Sequence, residues 1–197
     1  MSKLVEYYFD FGSPAAYLAS TQLTALATQT GATVVWRPML LGGVFVATGN
    51  SSPANVPSKG RYIFQDFERF ARCYGVAFNH NPYFPINTLT LMRIAVGLQL
   101  RDDPRFMDYC GAMYRAIWVD AQNMNDPKVA ANVLGAAGFD AAALLALASE
   151  QVVKDKLKAL TEAAVARGIF GAPTFFVGEQ MFWGQDRLDF VREALAQ

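Results

Sequence analysis

The chain has 197 residues, of which 53% are hydrophobic and 17% are charged, and its 17 basic side chains balance its 17 acidic ones. This composition is typical of a globular protein with a large core and excludes a disordered chain. The zero net charge lacks the basic surplus of a nucleic-acid-binding protein, and no apolar run is long enough to cross a bilayer. Its two cysteines, Cys73 and Cys110, form no C-x-x-C pair, and the N-terminus has no long apolar stretch. We therefore expect a cytoplasmic protein without a disulfide.

The first forty residues predict one β-α-β unit. Residues 4–10 alternate large apolar side chains with more polar ones, which is a strand pattern. Ser13-Pro14 follows, and because proline is favoured in the first turn of a helix, we expect a helix from there to about Thr28. A second strand is predicted over residues 33–38.

The middle of the chain predicts a loop followed by several helices. Residues 40–60 scatter glycine, asparagine, serine and proline, a composition typical of a loop. Beyond this loop apolar residues recur at helical spacings, and Asp103, Asp126 and Asp140 each stand where a helix is expected to begin. The last helix of this block is predicted over residues 150–167.

The end of the chain returns to strands. Two short aromatic-rich runs, PTFFVG and QMFWG, are separated by Gly178-Glu179 and predict a hairpin. A closing helix is expected from about Asp186. The predicted order is therefore β-α-β, a block of helices, and β-β-α.

This order, with FDFGSPAAYLA near one end and GIFGAPTFFVGEQMFWGQDRL near the other, resembles thioredoxin-like proteins with a helical insertion, including the DsbA type of disulfide oxidoreductase. The chain is more similar to a branch without redox cysteines, the kappa-class glutathione transferases and the 2-hydroxychromene-2-carboxylate isomerases. The stretches FPINT and FWGQDRL favour the isomerases. The resemblance implies an α/β fold with a thioredoxin-like domain, residues 1–42 and 165–197, and a loop plus an inserted all-helical domain, residues 43–164.

The resemblance also implies an activity, a cofactor and partners. The implied enzyme is a glutathione-dependent isomerase that interconverts 2-hydroxychromene-2-carboxylate and trans-o-hydroxybenzylidenepyruvate in naphthalene breakdown. Its partners would be glutathione, as cofactor, and a small aromatic carboxylate; no metal is implied, and a homodimer is expected. Two alternatives stay open: a kappa-class-like glutathione transferase, which would consume glutathione, and a thioredoxin-fold binding module without chemistry.

Ser13 is the predicted catalytic residue, because it stands where the redox relatives carry their first cysteine. Without thiols the turn cannot exchange disulfides, but a serine hydroxyl can donate a hydrogen bond to a thiolate. A helix N-terminus favours the same negative charge, and the resemblance implies that glutathione supplies the sulfur. A plain helix N-cap is the simpler interpretation of Ser13. A Ser-His-Asp hydrolase that uses His80 is disfavoured, because the pattern G-x-S-x-G is absent.

Further glutathione contacts are implied at matching positions. Pro173 is expected to be cis, which would leave the backbone of Ala172 free to pair with glutathione as with an added strand. Asn50 and Lys59 lie in the predicted loop, where Lys59 would meet a glutathione carboxylate. The simpler interpretation of Lys59 is a solvated surface charge.

Two residues at the start of the last helix complete the predicted cofactor site. Gln185 and Asp186 open that helix, and Asp186 would receive the γ-glutamyl ammonium while nearby backbone N–H groups take the γ-glutamyl carboxylate. An ordinary helix N-cap is the alternative for Asp186.

A pocket for a flat aromatic substrate is predicted from aromatic side chains that could otherwise belong to the core. The aromatic residues proposed for its wall are Tyr83, Phe84, Tyr114, Trp118 and Trp183. Asn87 would orient the substrate, or else cap the helix that begins near Thr88. Arg37 or Arg93 would pair with the substrate carboxylate, or else lie at the surface.

Overall fold

The computed structural model describes residues 3–196. Four strands in this range form one sheet in the order β2-β1-β3-β4. They are β1 (Leu4–Phe9), β2 (Thr33–Pro38), β3 (Thr174–Val177) and β4 (Gln180–Trp183). β1 is parallel to β2, whereas β3 is antiparallel to both β1 and β4. The predicted hairpin at the end of the chain is therefore confirmed.

Ten α-helices and two short 3-10 turns, Pro53–Asn55 and Gln185–Arg187, are found within residues 3–196. The helices are α1 (Pro14–Ser20), α2 (Leu23–Thr30), α3 (Leu41–Thr48), α4 (Pro57–Tyr74), α5 (Leu89–Leu100), α6 (Phe106–Trp118), α7 (Pro127–Ala136), α8 (Ala141–Ser149), α9 (Gln151–Ala166) and α10 (Leu188–Ala196). In this part of the chain, no helix combines the length and apolar character needed to cross a membrane. The mixed α/β architecture is as predicted, and the proposed division into two domains stays a prediction.

Two of the three aspartates predicted to begin helices, Asp126 and Asp140, do so, whereas the prediction for Asp103 is wrong, because α6 begins only at Phe106 and its N-cap position is Arg105. Asp126 Oδ1 accepts a hydrogen bond from Lys128 N at 2.8 Å, and Asp140 Oδ1 accepts one from Ala143 N at 3.0 Å. Each side chain satisfies a backbone N–H that has no partner within its own helix, which is the function of an N-cap.

The prediction of a loop over residues 40–60 is wrong in part, because α3 occupies Leu41–Thr48 and α4 already begins at Pro57. Two glycines inside α3 weaken its intrinsic helix propensity. Val44 nevertheless lies fully buried among residues of β3 and α9, and such tertiary packing outweighs a weak local preference. Gly49 ends α3 with a φ of 69°, a left-handed conformation that favours glycine.

The single helix predicted to reach about Thr28 is two helices, with a break after Ser20. Ser20 Oγ donates to Tyr17 O at 2.6 Å, and Thr21 Oγ1 donates to Leu18 O at 2.7 Å. Hydroxyl side chains that bond backbone carbonyls in this way compete with the helical pattern and bend helices. Such bonds also occur inside unbroken helices, at Thr28 in α2 and Thr161 in α9, so they favour the break without fully explaining it.

β1 lies inside the sheet, and its two faces enter different cores. Tyr7 and Phe9 point into the larger core, where their rings stack at a centroid distance of 5.4 Å. Tyr8 points the other way, into a smaller core formed with β3, α3 and α9. The residues of the smaller core are Tyr8, Met39, Val44, Ala164, Ile169 and Phe176. Packing on both faces holds the carboxyl end of β1, where the candidate site begins.

Candidate active site

The turn after β1 places Ser13 at the N-cap of α1. Its side chain is 5% exposed, and Ser13 Oγ accepts a hydrogen bond from Ala16 N at 3.1 Å. The capping interpretation is therefore confirmed. The same hydroxyl also donates to Ala172 O at 3.0 Å, across the gap between this turn and the segment before β3. A hydroxyl donates one proton, so an anion beside Ser13 would compete with Ala172 O for it.

The segment before β3 contains a cis bond between Ala172 and Pro173, in agreement with the resemblance. Gly184 N donates to Pro173 O at 3.0 Å, which joins this segment to the start of the 3-10 turn Gln185–Arg187. A Cβ atom at Gly171 would lie 2.6 Å from Trp183 Nε1. Because that separation is too short for two heavy atoms, only glycine allows Trp183 to approach the segment so closely.

Asn50 is connected to the same segment, whereas Lys59 is not. Asn50 Nδ2 donates to Phe170 O at 2.9 Å, and the Phe170 ring packs on Trp183 with a centroid distance of 4.9 Å. Lys59 lies in the first turn of α4 with an exposed side chain. It has no ion pair with any residue in 3–196, so its surface position accords with the simpler interpretation.

Gln185 and Asp186 form the start of the 3-10 turn that contacts α1. Gln185 is buried, and its backbone O accepts a hydrogen bond from Tyr74 Oη at 2.9 Å. Burial, with the carboxylates of Asp186 and Asp189, raises the pKa of Tyr74 to about 12, so this hydroxyl keeps its proton at neutral pH. Asp186 itself pairs with Arg187.

Asp10 is a buried carboxylate that the sequence analysis counted only as part of the strand pattern. Its Oδ1 accepts hydrogen bonds from Gly12 N at 2.8 Å and Thr88 Oγ1 at 2.6 Å, and its Oδ2 accepts one from Leu41 N at 2.8 Å. Burial raises the pKa of Asp10, and the three hydrogen bonds oppose that rise. Asp10 thereby ties the Ser13 turn to the start of α3 and to the residue before α5. An acidic residue at the end of a strand, three positions before the candidate serine, was the signal available in the sequence.

Two of the predicted substrate residues lie in the core. Trp118 is fully buried, and its Nε1 donates to Phe11 O at 2.8 Å. Tyr114 is 2% exposed, and its hydroxyl shares a hydrogen bond of 2.9 Å with the hydroxyl of Tyr7. The structure does not bring these side chains to an open surface. Their contacts support the core interpretation, and their assignment to the substrate stays a prediction.

The segment before α5 holds three other predicted substrate residues. Tyr83 is half exposed, and Phe84 is partly buried. Asn87 is exposed, and its Oδ1 accepts a hydrogen bond from the first N–H of α5 at 3.1 Å, so Asn87 has the capping contact that was its alternative. His80 packs on Phe64 with a ring-centroid distance of 4.1 Å. This packing contact does not point to a catalytic role for His80.

Arg37 is paired at the edge of the sheet. Its Nε lies 2.8 Å from Glu6 Oε2, and Arg167 Nη1 lies 2.8 Å from Glu6 Oε1. Burial alone would raise the pKa of Glu6, but the hydrogen bonds from Arg167 and Arg37 outweigh it, so the net pKa is lowered. A substrate carboxylate would therefore have to compete with Glu6 for Arg37, and this predicted contact also stays a prediction.

The site thus joins Ser13 to Ala172 and Pro173 to Gly184, the residue before Gln185, with no thiol in the turn. Cys110 is buried in α6, where burial raises the pKa of its thiol, and Cys73 is exposed on α4. Within residues 3–196, no cluster of three or more metal-ligating side chains is found. The arrangement offers a hydroxyl donor and backbone groups, which suit an anionic or extended ligand.

The chain is similar to known proteins over nearly its whole length. Residues 4–196 match the family model of the DSBA-like thioredoxin domain. The 2-hydroxychromene-2-carboxylate isomerase of Sphingobium xenophagum is 33% identical over 99% of this chain and 99% of its own length. Glutathione S-transferase kappa 1 of Rattus norvegicus is 25% identical over 99% of this chain and 92% of its own length.

A solved structure of 2-hydroxychromene-2-carboxylate isomerase has a TM-score of 0.83 and 30% identity, covering 98% of this chain and 94% of that one. This similarity extends over the sheet, the candidate site and the inserted helices together, and it confirms the thioredoxin-like fold. The chain therefore belongs to the 2-hydroxychromene-2-carboxylate isomerase family of DSBA-like thioredoxin-domain proteins and is an enzyme of the isomerase type.

Proposed function

We propose that this enzyme interconverts 2-hydroxychromene-2-carboxylate and trans-o-hydroxybenzylidenepyruvate with glutathione as cofactor, a step of naphthalene and related polyaromatic breakdown. The observation that carries the proposal is the position of Ser13, whose hydroxyl faces Ala172 O at 3.0 Å in a turn without cysteine. The names of its relatives, isomerases at 33% identity and a kappa-class glutathione transferase at 25%, support it.

The residues of the turn fit a thiol cofactor. When bound, glutathione would supply a thiolate nucleophile for reversible addition to a conjugated carbon, the chemistry that allows rotation about the former double bond without consuming the cofactor. Ser13 would turn its proton from Ala172 O toward the sulfur, favouring the ionised form. The backbone of Ala172, which lies outside the β3–β4 pairs, would bond an extended peptide. Gln185 and Asp186 would hold the γ-glutamyl end of glutathione, and Asn50 and Lys59 would contact the rest of the tripeptide.

The substrate would be a small aromatic carboxylate. Tyr83 and Phe84 support this part of the proposal, because they offer aromatic surface that is not fully buried. Asn87, Arg37, Tyr114 and Trp118 complete the predicted substrate set. We further propose a homodimer in the cytoplasm; the free thiols Cys73 and Cys110 accord with a reducing compartment.

An assay with 2-hydroxychromene-2-carboxylate, with and without glutathione, tests the function. We expect turnover only with glutathione and no change in total glutathione. A kappa-like transferase, the second candidate, would deplete glutathione as its conjugate formed. No turnover with any glutathione concentration, together with no glutathione binding in calorimetry, would leave only a binding module.

Replacing Ser13 tests the role of the hydroxyl. Ser13→Ala is expected to lower kcat by roughly a hundredfold, as for other donors that stabilise a reacting anion, and to raise the pKa of the bound thiol. Ser20→Ala is the matched control, because Ser20 lies on the same helix and bonds only within it. Unchanged activity of Ser13→Ala over a pH series would remove Ser13 from the mechanism.

A further inference from the structure

A cavity of about 530 Å³ lies between α3, α5 and α9, outside the predicted glutathione site. Its volume falls in the range of small-molecule sites, about 300 to 1,000 Å³. Its walls are mostly aliphatic and include Leu40, Gly43, Ala47, Leu89, Leu157 and Val165. Neither Ser13 nor Pro173 lines it, so it needs an explanation of its own.

Cationic side chains border this cavity. Arg93 reaches it from α5, and Lys154 and Lys158 reach it from α9. Lys158 Nζ lies 3.8 Å from Glu162 Oε1, the single carboxylate among the lining residues. Within residues 3–196, Arg93 and Lys154 have no ion pair. The cavity therefore has an excess of positive charge.

Arg93 also has an unsatisfied hydrogen-bond donor. Its Nε is buried and has no partner among residues 3–196. Buried donors are nearly always paired, because leaving one without an acceptor is unfavourable. Because Nε itself is buried, a ligand in the cavity would pair with the part of the Arg93 guanidinium that lines it, and a carboxylate matches the fork of the guanidinium particularly well.

The cavity is built into the fold and does not depend on a mobile surface. Leu40 N donates to Thr161 Oγ1 at 3.0 Å, which fastens the start of α3 to α9. A Cβ atom at Gly43 would lie 3.2 Å from Thr161 Cγ2, so the two helices approach closely there. Ala47 follows one turn later on α3. Small side chains at Gly43 and Ala47 leave the space open while the hydrogen bond holds the helices in place.

We propose that this cavity binds a small apolar carboxylate, with its carboxylate on Arg93 and its apolar part against the aliphatic walls. Lys154 adds positive charge at the site. Inorganic anions fit poorly, because most of the lining is aliphatic. The site is distinct from the proposed glutathione site, and it takes Arg93, offered above as a partner for the substrate carboxylate, for a different ligand. The proposal therefore does not depend on the isomerase activity.

Calorimetric titration of the full chain with octanoate tests the site. Octanoate is suitable because its saturated chain has no conjugated carbon on which a thiolate could react. We expect one octanoate to bind per chain. Octanol, which lacks the charge, should bind with an affinity at least about tenfold lower. Equal affinity for octanoate and octanol would overturn the role of the cations.

Variants on two different helices locate the bound octanoate. Arg93→Met should weaken octanoate about tenfold, whereas Arg72→Met, at an exposed arginine outside the cavity, should not. Ala47→Phe should fill the space and abolish binding. Val46→Phe is its control, because Val46 is 87% exposed and does not line the cavity.

Octanoate binding that survives both Arg93→Met and Ala47→Phe would overturn the proposal. Glutathione titrated into the same variants should bind as in the unaltered chain. Because the two ligands are measured separately, loss of the cavity proposal would leave the glutathione proposal intact, and failure of glutathione to bind would leave the octanoate result intact.

Discussion

The two faces of β1 are held by different interactions, although they belong to one strand of six residues. On one face, the Tyr7 ring stacks at 5.4 Å on both Phe9 and Phe175, inside the larger core. On the other face, Glu6 binds two arginines, and Asp10, just beyond the strand, accepts three hydrogen bonds. The aromatic stacking around Tyr7 thus positions the strand. The other face also carries Tyr8 into the smaller core, and its charged groups Glu6 and Asp10 determine the turn that carries Ser13 and the start of α3.

Burial of aromatic surface depends little on pH, because no charge is involved. Contacts to Glu6 and Asp10 depend on ionisation and on the exact position of donors. Substitutions on the two faces should therefore differ in size, in pH dependence and in their effect on the turn.

The largest effect on stability is expected on the face that carries Tyr7 and Phe9. Phe9 is fully buried, so Phe9→Ala should lower the free energy of unfolding by about 3 to 5 kcal/mol through lost burial and a residual cavity. Denaturant titration measures this loss, which should be similar at pH 7 and pH 4. Phe190→Ala is the control, because Phe190 is 52% exposed and should cost about 0.5 kcal/mol or less. A strongly pH-dependent loss for Phe9→Ala would contradict the contrast.

Asp10→Asn should have an intermediate effect on stability and a specific effect on the turn. Either orientation of the amide directs its NH₂ at a backbone N–H, that of Leu41 or that of Gly12, so about 1 to 3 kcal/mol should be lost. Hydrogen exchange at the Gly12 and Leu41 amides should accelerate.

The control for Asp10→Asn is Thr88→Val, which removes one of the three hydrogen bonds and should cost about 0.5 to 1.5 kcal/mol. If both amides exchanged at the same rate in Asp10→Asn as in the unaltered chain, Asp10 would not be what holds the turn.

Arg167→Met should have the smallest effect, and a distinct pH dependence. Arg167 is partly exposed and binds Glu6, so about 1 kcal/mol should be lost at neutral pH. Because the pKa of Glu6 is lowered in the folded state, its contribution is present above the ordinary glutamate pKa of about 4.3. That contribution is lost as the pH falls through the lowered value. The difference between variant and unaltered chain should therefore shrink in acid. A difference that stayed constant down to pH 3 would show that packing of the arginine, and not its charge, is responsible.

Local sequence signals predicted much of the fold. Asp126 and Asp140 cap their helices as expected, because an N-cap bonds N–H groups only two or three residues away. The β3–β4 hairpin was predictable for the same reason. α3 was not, because its glycines disfavour a helix and its stability comes from Val44 packing on residues far along the chain.

The candidate site was predictable to a similar extent. The motifs GSPA and GAPTFF identified the turn and the segment opposite it, and the structure joins them through Ser13 and Ala172. The role of Asp10 was missed, because its partners Leu41 and Thr88 lie 31 and 78 positions away. Trp118 could not be placed from the sequence either, since a tryptophan suited to a pocket wall lies fully buried, and its assignment to the substrate stays a prediction.

The sequence by itself determined the family, the order of the strands along the chain and the absence of a thiol beside Ser13. These follow from residue types and from contacts between near neighbours. Only the tertiary structure decided which acceptors surround the turn, which aromatic rings are buried, and that Arg93, Lys154 and Lys158 border one cavity between α3, α5 and α9. The physical reason is that burial and hydrogen bonding between distant residues depend on how the helices pack on the sheet, and no short stretch of sequence contains that information.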